Sequence, residues 1–134
     1  MFRITPIQDV ETQRKYASEC GAEYRNGYFA YSMIDQESGE LMGFSQFEIN
    51  GACGHIEDLR AKIGLDDNEA MFILGRATMN FIDMCGAHSC TASKTAGEAR
   101  LLHAIGFKDE RDGLLYCDMT DMFSGKCDGE VKKI

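Results

Sequence analysis

The sequence is poor in basic residues, with 14 Lys and Arg against 22 Asp and Glu and a formal net charge of −8. It contains no run of Lys and Arg that would offset this charge. Because nucleic acids and anionic membranes are themselves negative, a chain this acidic is a poor electrostatic partner for them. We therefore predict no nucleic-acid partner and no membrane partner.

The sequence also lacks a long apolar run and a recognisable signal peptide. No apolar stretch reaches the roughly 20 residues that a helix needs to cross a bilayer, and residues 1–6 are typical of a strand. There are no internal repeats and no low-complexity segments. We expect a cytoplasmic location and one domain, because 134 residues with 44% hydrophobic content suffice for a single core.

No two cysteines have the C-x-x-C spacing that zinc sites commonly use. Without a secretory signal, the thiols are expected to be reduced and buried. One alternative is a small metal- or thiol-dependent site at Cys85, His88 and Cys90, but their spacing is weak evidence and we predict no metal. The cysteines are Cys20, Cys53, Cys85, Cys90, Cys117 and Cys127.

Residues 53–86 organise the sequence, because their pattern predicts a strand, a short turn and a long helix. Asp66 is the predicted N-cap of this helix, and Glu69 lies three residues later, where it would complete a capping box. Gly86 is the predicted end signal. Between them, residues suited to a buried face recur at helical spacing: Met71, Leu74, Thr78, Met79, Ile82 and Cys85.

The remaining pattern predicts further strands and helices around this unit. The strand after the long helix should run parallel to the strand before it, as a β-α-β unit requires. The predicted order is β-α-β-β-β-α-β-α-β, a mixed α/β domain over 1–119 with a loose tail over 120–134. The other predicted segments are strand 2–5, helix 10–20, strands 28–35 and 41–49, strand 87–93, helix 98–105 and strand 114–119.

Three motifs in this order resemble the GNAT acetyltransferase family. Residues 38–43, Ser-Gly-Glu-Leu-Met-Gly, are similar to the family's hairpin turn, and residues 56–60 lead into the long helix. Residues 99–107 are similar to the A-x-x-L-Y-x-x-x-G-F segment and form the most specific match. The resemblance, which runs from residue 2 to residue 119, implies three layers: a mixed central sheet of about 6–7 strands with helices on both faces.

The resemblance also implies acetyl-CoA as cofactor and an amine, on a small molecule or a peptide, as acceptor. The general base would come from the strand before the long helix, where Glu57 is the match and Asp58 the alternative. Alternation along a strand would send these two side chains to opposite faces. The positions that correspond to the family's cofactor site are Leu59, Arg60, Ala61, Asp66, Asp67, Asn68, Glu69, Ala70 and Met71.

The side chains at these positions depart from the family's R-G-x-G-x-G/A pyrophosphate loop, since every glycine is absent and Asp66 replaces the Arg. A helix N-terminus favours anions. Asp66, Asp67 and Glu69 already supply negative charge there, and each would repel a phosphate by roughly 1–4 kcal/mol at close range. Leu102 stands where the family often has a Tyr as general acid, and Leu cannot donate a proton.

Two classes of function stay open. One is a small N-acetyltransferase in which Glu57 or a water takes the amine proton and backbone N–H groups hold the carbonyl oxygen. The other is a non-catalytic binding or regulatory module with the same fold, for example as a homodimer. No role is assigned to His55 or His103, because no partner that would fix a tautomer is evident. Aromatic residues could be sheet core or a pocket wall: Tyr28, Phe29, Tyr31, Phe44 and Phe47.

Overall fold

The structure is a computed structural model that describes residues 1–123. Within these residues, no helix combines the length and the apolar character that a bilayer crossing requires. The elements, in chain order, are β1 (Phe2–Pro6), α1 (Val10–Glu19), β2 (Phe29–Asp35), β3 (Leu41–Asn50), β4 (Cys53–Ala61), α2 (Asn68–Met84), β5 (Ser89–Ala92), α3 (Ala99–Ile105), β6 (Asp109–Arg111) and β7 (Leu114–Asp118).

All seven strands form one mixed sheet in the order β1-β2-β3-β4-β5-β7-β6. The first four strands are an antiparallel meander, and β5 pairs parallel to β4 across the α2 crossover. This confirms the predicted β-α-β unit and the mixed sheet. The segment 109–111, for which no strand is predicted, forms the short edge strand β6 against β7.

Helices cover both faces of the sheet, as the predicted three-layer architecture requires. On one face, Ala17 and Cys20 of α1 join a buried cluster with β2 and β3 residues. On the other face, α2 and α3 pack on a larger core that contains Met33, Phe47 and Leu59 from the strands. The fold class is therefore α/β with the predicted layers, and the core lies mainly between the sheet and α2.

Asp67, rather than the predicted Asp66, is the N-cap of α2. Its Oδ1 accepts a hydrogen bond from the Ala70 backbone N–H at 3.0 Å, and the helix begins at Asn68. Glu69 lies in the first turn, where its negative charge favours the helix dipole. The prediction is wrong by one residue because Asp66 and Asp67 are equally able to cap, and the path of the preceding loop decides which one does.

The predicted apolar stripe of α2 faces the sheet, except at its last position. Five of its six residues are buried: Met71, Leu74, Thr78, Met79 and Ile82. Cys85 is the C-cap and is exposed, so its predicted burial is wrong. The helix lies close to β4, because a Cβ on Gly54 would be only 2.5 Å from Ile82 Cγ2.

A β-bulge in β4 sets the positions of its two adjacent carboxylates. The β3–β4 register shifts after Gln46, which pairs with Asp58, and the next pair skips Glu57. Both carboxylates therefore face the α1 side, where Arg25 lies 3.7 Å from Glu57 and 3.5 Å from Asp58. The expectation of opposite faces is wrong, because it assumed a regular strand with a period of two.

The structure describes only the first four residues, 120–123, of the predicted C-terminal tail. Met122 and Phe123 are half-buried and pack against the core. Residues 124–134 lie outside the described part of the chain, and so does Cys127, so the tail over 120–134 stays a prediction. Among the other cysteines, Cys53 is half-buried and three are buried: Cys20, Cys90 and Cys117.

Candidate active site

A cavity of about 420 Å³ lies where the end of β4 meets the N-terminus of α2. This volume is in the range of pockets that hold small ligands and cofactors. Seven of the nine predicted cofactor positions line it, because β4 and the following loop run along its length. Glu69 and Ala70 are not among the lining residues. The full lining is formed by residues 59–68 together with Cys20, Met71, Gly97, Glu98 and Leu101.

The charges around this cavity have both signs. Asp66, Asp67 and Glu98 contribute carboxylates, and Arg60 and Lys62 contribute cations. The Asp67 carboxylate is held at the α2 N-terminus by its cap bond, so a negative group already occupies the end of the helix dipole. An anionic ligand would meet this carboxylate before it reached the free N–H groups of the first turn.

The loop after β5 closes one side of the cavity against β4. The Leu59 backbone N–H donates to the Ala96 carbonyl oxygen at 2.7 Å, and the Ser93 N–H donates to the Ile56 carbonyl oxygen at 3.1 Å. The two backbones approach so closely that a Cβ on Gly97 would lie 2.4 Å from the Leu59 carbonyl oxygen. The N–H of one predicted cofactor position therefore already has an acceptor.

Glu57 lies in a network of side chains on β4 and β5. Its Oε1 is 2.9 Å from His55 Nε2, and its Oε2 accepts a hydrogen bond from Ser93 Oγ at 3.1 Å. His55 Nδ1 is 2.8 Å from Thr91 Oγ1. The Glu57 side chain is 22% exposed, so it is partly shielded but open to an incoming group. His55, Ser93 and Arg25 were not predicted here; the two-residue spacing of His55 and Glu57 was the one local signal.

Asp58 has a different environment, because its side chain is 1% exposed. Gln46 Nε2 donates to its Oδ2 at 2.8 Å, and Arg60 Nε donates to its Oδ1 at 3.2 Å. The Gln46 side chain also accepts from the Arg25 backbone N–H at 3.0 Å, which holds the α1–β2 loop on the sheet. Asp58 is therefore a structural carboxylate whose oxygens face protein donors rather than a ligand.

Neither the cysteines nor the other two histidines add a reactive group to this site. Burial raises the pKa of the Cys20 thiol to about 12, so this cavity residue is a poor nucleophile. Burial also raises the pKa of the Cys90 thiol. His88 Nδ1 is 2.6 Å from Asp83 Oδ1, and His103 is exposed near the end of α3. In the part of the chain that the structure describes, no three His, Cys, Asp or Glu side chains are grouped to hold a metal.

The aromatic residues of the β2–β3 hairpin do not form one pocket wall. Phe44 belongs to the core under α1, whereas Phe47 belongs to the core under α2. The rings of Phe29 and Tyr31 each lie 5.7 Å from Phe47, and all three rings contact Phe81 of α2. None of these rings lines the cavity.

No family model and no curated protein matches this sequence. Several proteins of known structure, however, have a similar fold. The chain is similar to the NatC complex bound to Gag peptide and CoA, with 13% identity, a TM-score of 0.60, and coverage of 82% of this chain and 86% of that one. It is also similar to an IAA acetyltransferase from Bacillus cereus ATCC 14579, with 12% identity, a TM-score of 0.57, and coverage of 88% and 94%.

A third similar structure is the KacTA–DNA complex, with 14% identity, a TM-score of 0.64, and coverage of 96% of this chain and 100% of that one. These identities are too low to carry over function, but the coverage is nearly complete. The chain therefore has the fold of the GNAT acetyltransferases, as the sequence motifs implied.

Proposed function

We propose that this chain binds a coenzyme A thioester in the cavity between β4 and α2 and transfers its acetyl group to an amine. The acceptor would be a small molecule or a peptide. The observation that carries the proposal is that seven of the nine cofactor positions implied by the motifs line this one cavity. The GNAT fold supports it, and so does the bound CoA named for one similar structure.

In the proposed reaction, Glu57 is the general base. The amine nitrogen attacks the thioester carbonyl carbon, the C–N bond forms, and the C–S bond breaks. Glu57 accepts the amine proton, and coenzyme A leaves as a thiolate that takes a proton from solvent. Leu102 is fully buried at the position of the family's Tyr, so no side chain is assigned as acid for the leaving group. Glu57 is preferred to Asp58 because its side chain is 22% exposed, whereas the Asp58 side chain is 1% exposed and cannot be reached by an amine.

The carbonyl oxygen of the thioester would be held by backbone N–H groups of β4. For Leu59 N–H to take this role, its bond to Ala96 must open when the thioester enters. The energy needed to open it lowers the apparent affinity, since only the open form can bind. The affinity is lowered further by Asp66, Asp67 and Glu69, which lie at or near the cavity at the start of α2.

Thermal unfolding with and without 1 mM acetyl-CoA tests binding directly. For a Kd of about 0.1 mM, this concentration adds roughly 1.4 kcal/mol and raises Tm by about 3–6 °C. Release of free thiol in the presence of a panel of primary amines tests the transfer. Absence of both a Tm shift and thiol release would remove the enzyme hypothesis.

A charge-neutral variant tests the repulsion separately. Asp66→Asn, Asp67→Asn and Glu69→Gln together remove the negative charge while the Asn at 67 can still cap α2. We expect the affinity for acetyl-CoA to rise by about tenfold or more. The matched control neutralises three exposed carboxylates away from the cavity: Glu37→Gln, Asp109→Asn and Asp112→Asn. Equal affinity in both variants would show that local charge is not the obstacle.

The alternative function is a non-catalytic binding or regulatory module. The specific observation in its favour is the direct backbone contact between Leu59 and Ala96, which leaves this stretch of β4 paired. Such a module would show neither thiol release nor a Tm shift with acetyl-CoA. The homodimer expectation belongs to this alternative and is checked by sedimentation. The net charge of −8 argues against nucleic acid as its partner.

A further inference from the structure

Four polar side chains form a continuous row across β4, β5 and the first residue after β5. Thr91 contacts His55, His55 contacts Glu57, and Glu57 contacts Ser93, with distances of 2.8, 2.9 and 3.1 Å. The parallel β4–β5 register pairs His55 directly with Thr91. The contact between His55 and Thr91 therefore follows from the backbone pairing of the two strands. Ser93 is the first residue after β5, and its N–H bond to the Ile56 carbonyl oxygen holds it beside β4.

The chemical groups in these contacts indicate which atom carries the hydrogen in each hydrogen bond. An ionised Glu57 is an acceptor only, so His55 Nε2 must carry the hydrogen that lies between it and Oε1. In a neutral imidazole the other nitrogen, Nδ1, is then an acceptor, and the Thr91 hydroxyl donates to it at 2.8 Å. The Thr91 hydroxyl has a second acceptor within reach, the Gly54 carbonyl oxygen, at the longer distance of 3.4 Å.

The Glu57 carboxylate is held at both oxygens. His55 donates to Oε1, and Ser93 donates to Oε2. The Arg25 guanidinium lies 3.7 Å from Oε2 and is a weaker constraint, because its side chain is 36% exposed. His55 is held more firmly than Arg25, because its side chain is 15% exposed and both of its ring nitrogens have hydrogen-bond partners.

We propose that His55 is a positioning residue for Glu57, with Thr91 fixing its tautomer. This role rests on the proposed function, because Glu57 is the base of that reaction. In the transfer, an amine N–H bond breaks and the proton forms an O–H bond on the Glu57 carboxylate. The imidazole keeps its own proton and holds the carboxylate in the orientation that receives the new one.

Steady-state kinetics with acetyl-CoA and the best primary amine of the panel test this role. His55→Leu removes the donor, and we expect kcat to fall by about 10- to 100-fold with the KM for acetyl-CoA unchanged. His55→Gln supplies an amide N–H at a similar reach and should keep kcat within about threefold of the wild type. Thr91→Val is a milder variant that keeps the imidazole, and a smaller loss of kcat is expected.

A double-mutant cycle separates positioning from a general structural effect. If His55 acts through Glu57, His55→Leu should change the residual rate of a Glu57→Gln variant by less than about twofold. An equal loss of rate in both backgrounds would overturn the proposal, and so would an unchanged kcat in His55→Leu. If His55→Leu does not fold, the same cycle is run with Thr91→Val.

The ring nitrogens of His55 give a readout that does not need activity. In the neutral form of the ring, ¹⁵N chemical shifts should show the hydrogen on Nε2, and Glu57→Leu should shift the Nε2 resonance. A hydrogen on Nδ1 in the neutral form would overturn the proposal. A wild type without thiol release but with the expected tautomer would contradict the proposed function while the hydrogen bonding of Glu57 stands.

Discussion

Replacing Gly97 by Ala places a methyl group against the central strand. A Cβ at this position would lie 2.4 Å from the Leu59 carbonyl oxygen, which is about 1 Å closer than an ordinary contact. The oxygen belongs to the backbone of β4, between β3 and β5 in the sheet, and cannot rotate away as a side chain would. We therefore expect the loop after β5 to move off β4 and the Leu59 N–H···O=C Ala96 bond to break.

The expected loss in free energy of unfolding follows from the loss of this hydrogen bond. Leaving the Leu59 N–H without its acceptor costs about 1–3 kcal/mol. The lower chain entropy of Ala in the unfolded state offsets about 0.4–1 kcal/mol. The net loss in free energy of unfolding is then about 1–2 kcal/mol, which corresponds to a fall in Tm of roughly 3–8 °C for a domain of this size.

Urea unfolding gives the stability change, and amide hydrogen exchange at Leu59 shows whether the bond is lost. The control is Thr95→Ala in the same loop, because the Thr95 side chain is exposed and its backbone carbonyl still accepts from Arg60. We expect a change within about 0.5 kcal/mol for this control. A Gly97→Ala variant with wild-type stability and a protected Leu59 amide would refute the reasoning.

Three further predictions concern single positions. Asp67→Ala should lower the free energy of unfolding by about 1 kcal/mol through loss of the α2 cap, whereas Asp67→Asn should be close to neutral in urea unfolding. Gly54→Ala should cost about 1–3 kcal/mol, because its Cβ would lie 2.5 Å from Ile82 Cγ2; wild-type stability would contradict this packing. At pH 8, Cys85 should react with a thiol reagent in the folded protein, while Cys20, with its pKa raised to about 12 by burial, should react only on unfolding; mass spectrometry of the labelled peptides distinguishes them.

Local sequence signals were sufficient for the central unit of the fold. The spacing from Met71 to Ile82 predicts a helix with one apolar face, and five of the six stripe residues are buried. The crossover rule then places β5 parallel to β4. These predictions succeed because helical periodicity and chain connectivity are properties of neighbouring residues.

The site was less predictable, because its geometry comes from contacts distant in sequence. The bulge at Glu57 depends on how β4 pairs with β3, and no local pattern shows a skipped residue. The closure of the cavity depends on Ala96 meeting Leu59, which lies 37 positions earlier. The choice of Asp67 over Asp66 as cap depends on the path of the preceding loop, since both residues have the same chemistry. Seven of the nine positions implied by the motifs line one cavity, and the tertiary structure sets the environment of their side chains.

The chain order of the sheet has a consequence for synthesis on the ribosome. The β1–β4 meander, residues 2–61, is complete before any of α2 is made. Its apolar face includes Met33, Phe47, Ile56 and Leu59, all of which pack on the α2 side in the finished protein. Until that helix emerges, a sheet formed by these four strands would leave this apolar face exposed to solvent, and exposed apolar surface of this kind makes incompletely folded chains prone to aggregate.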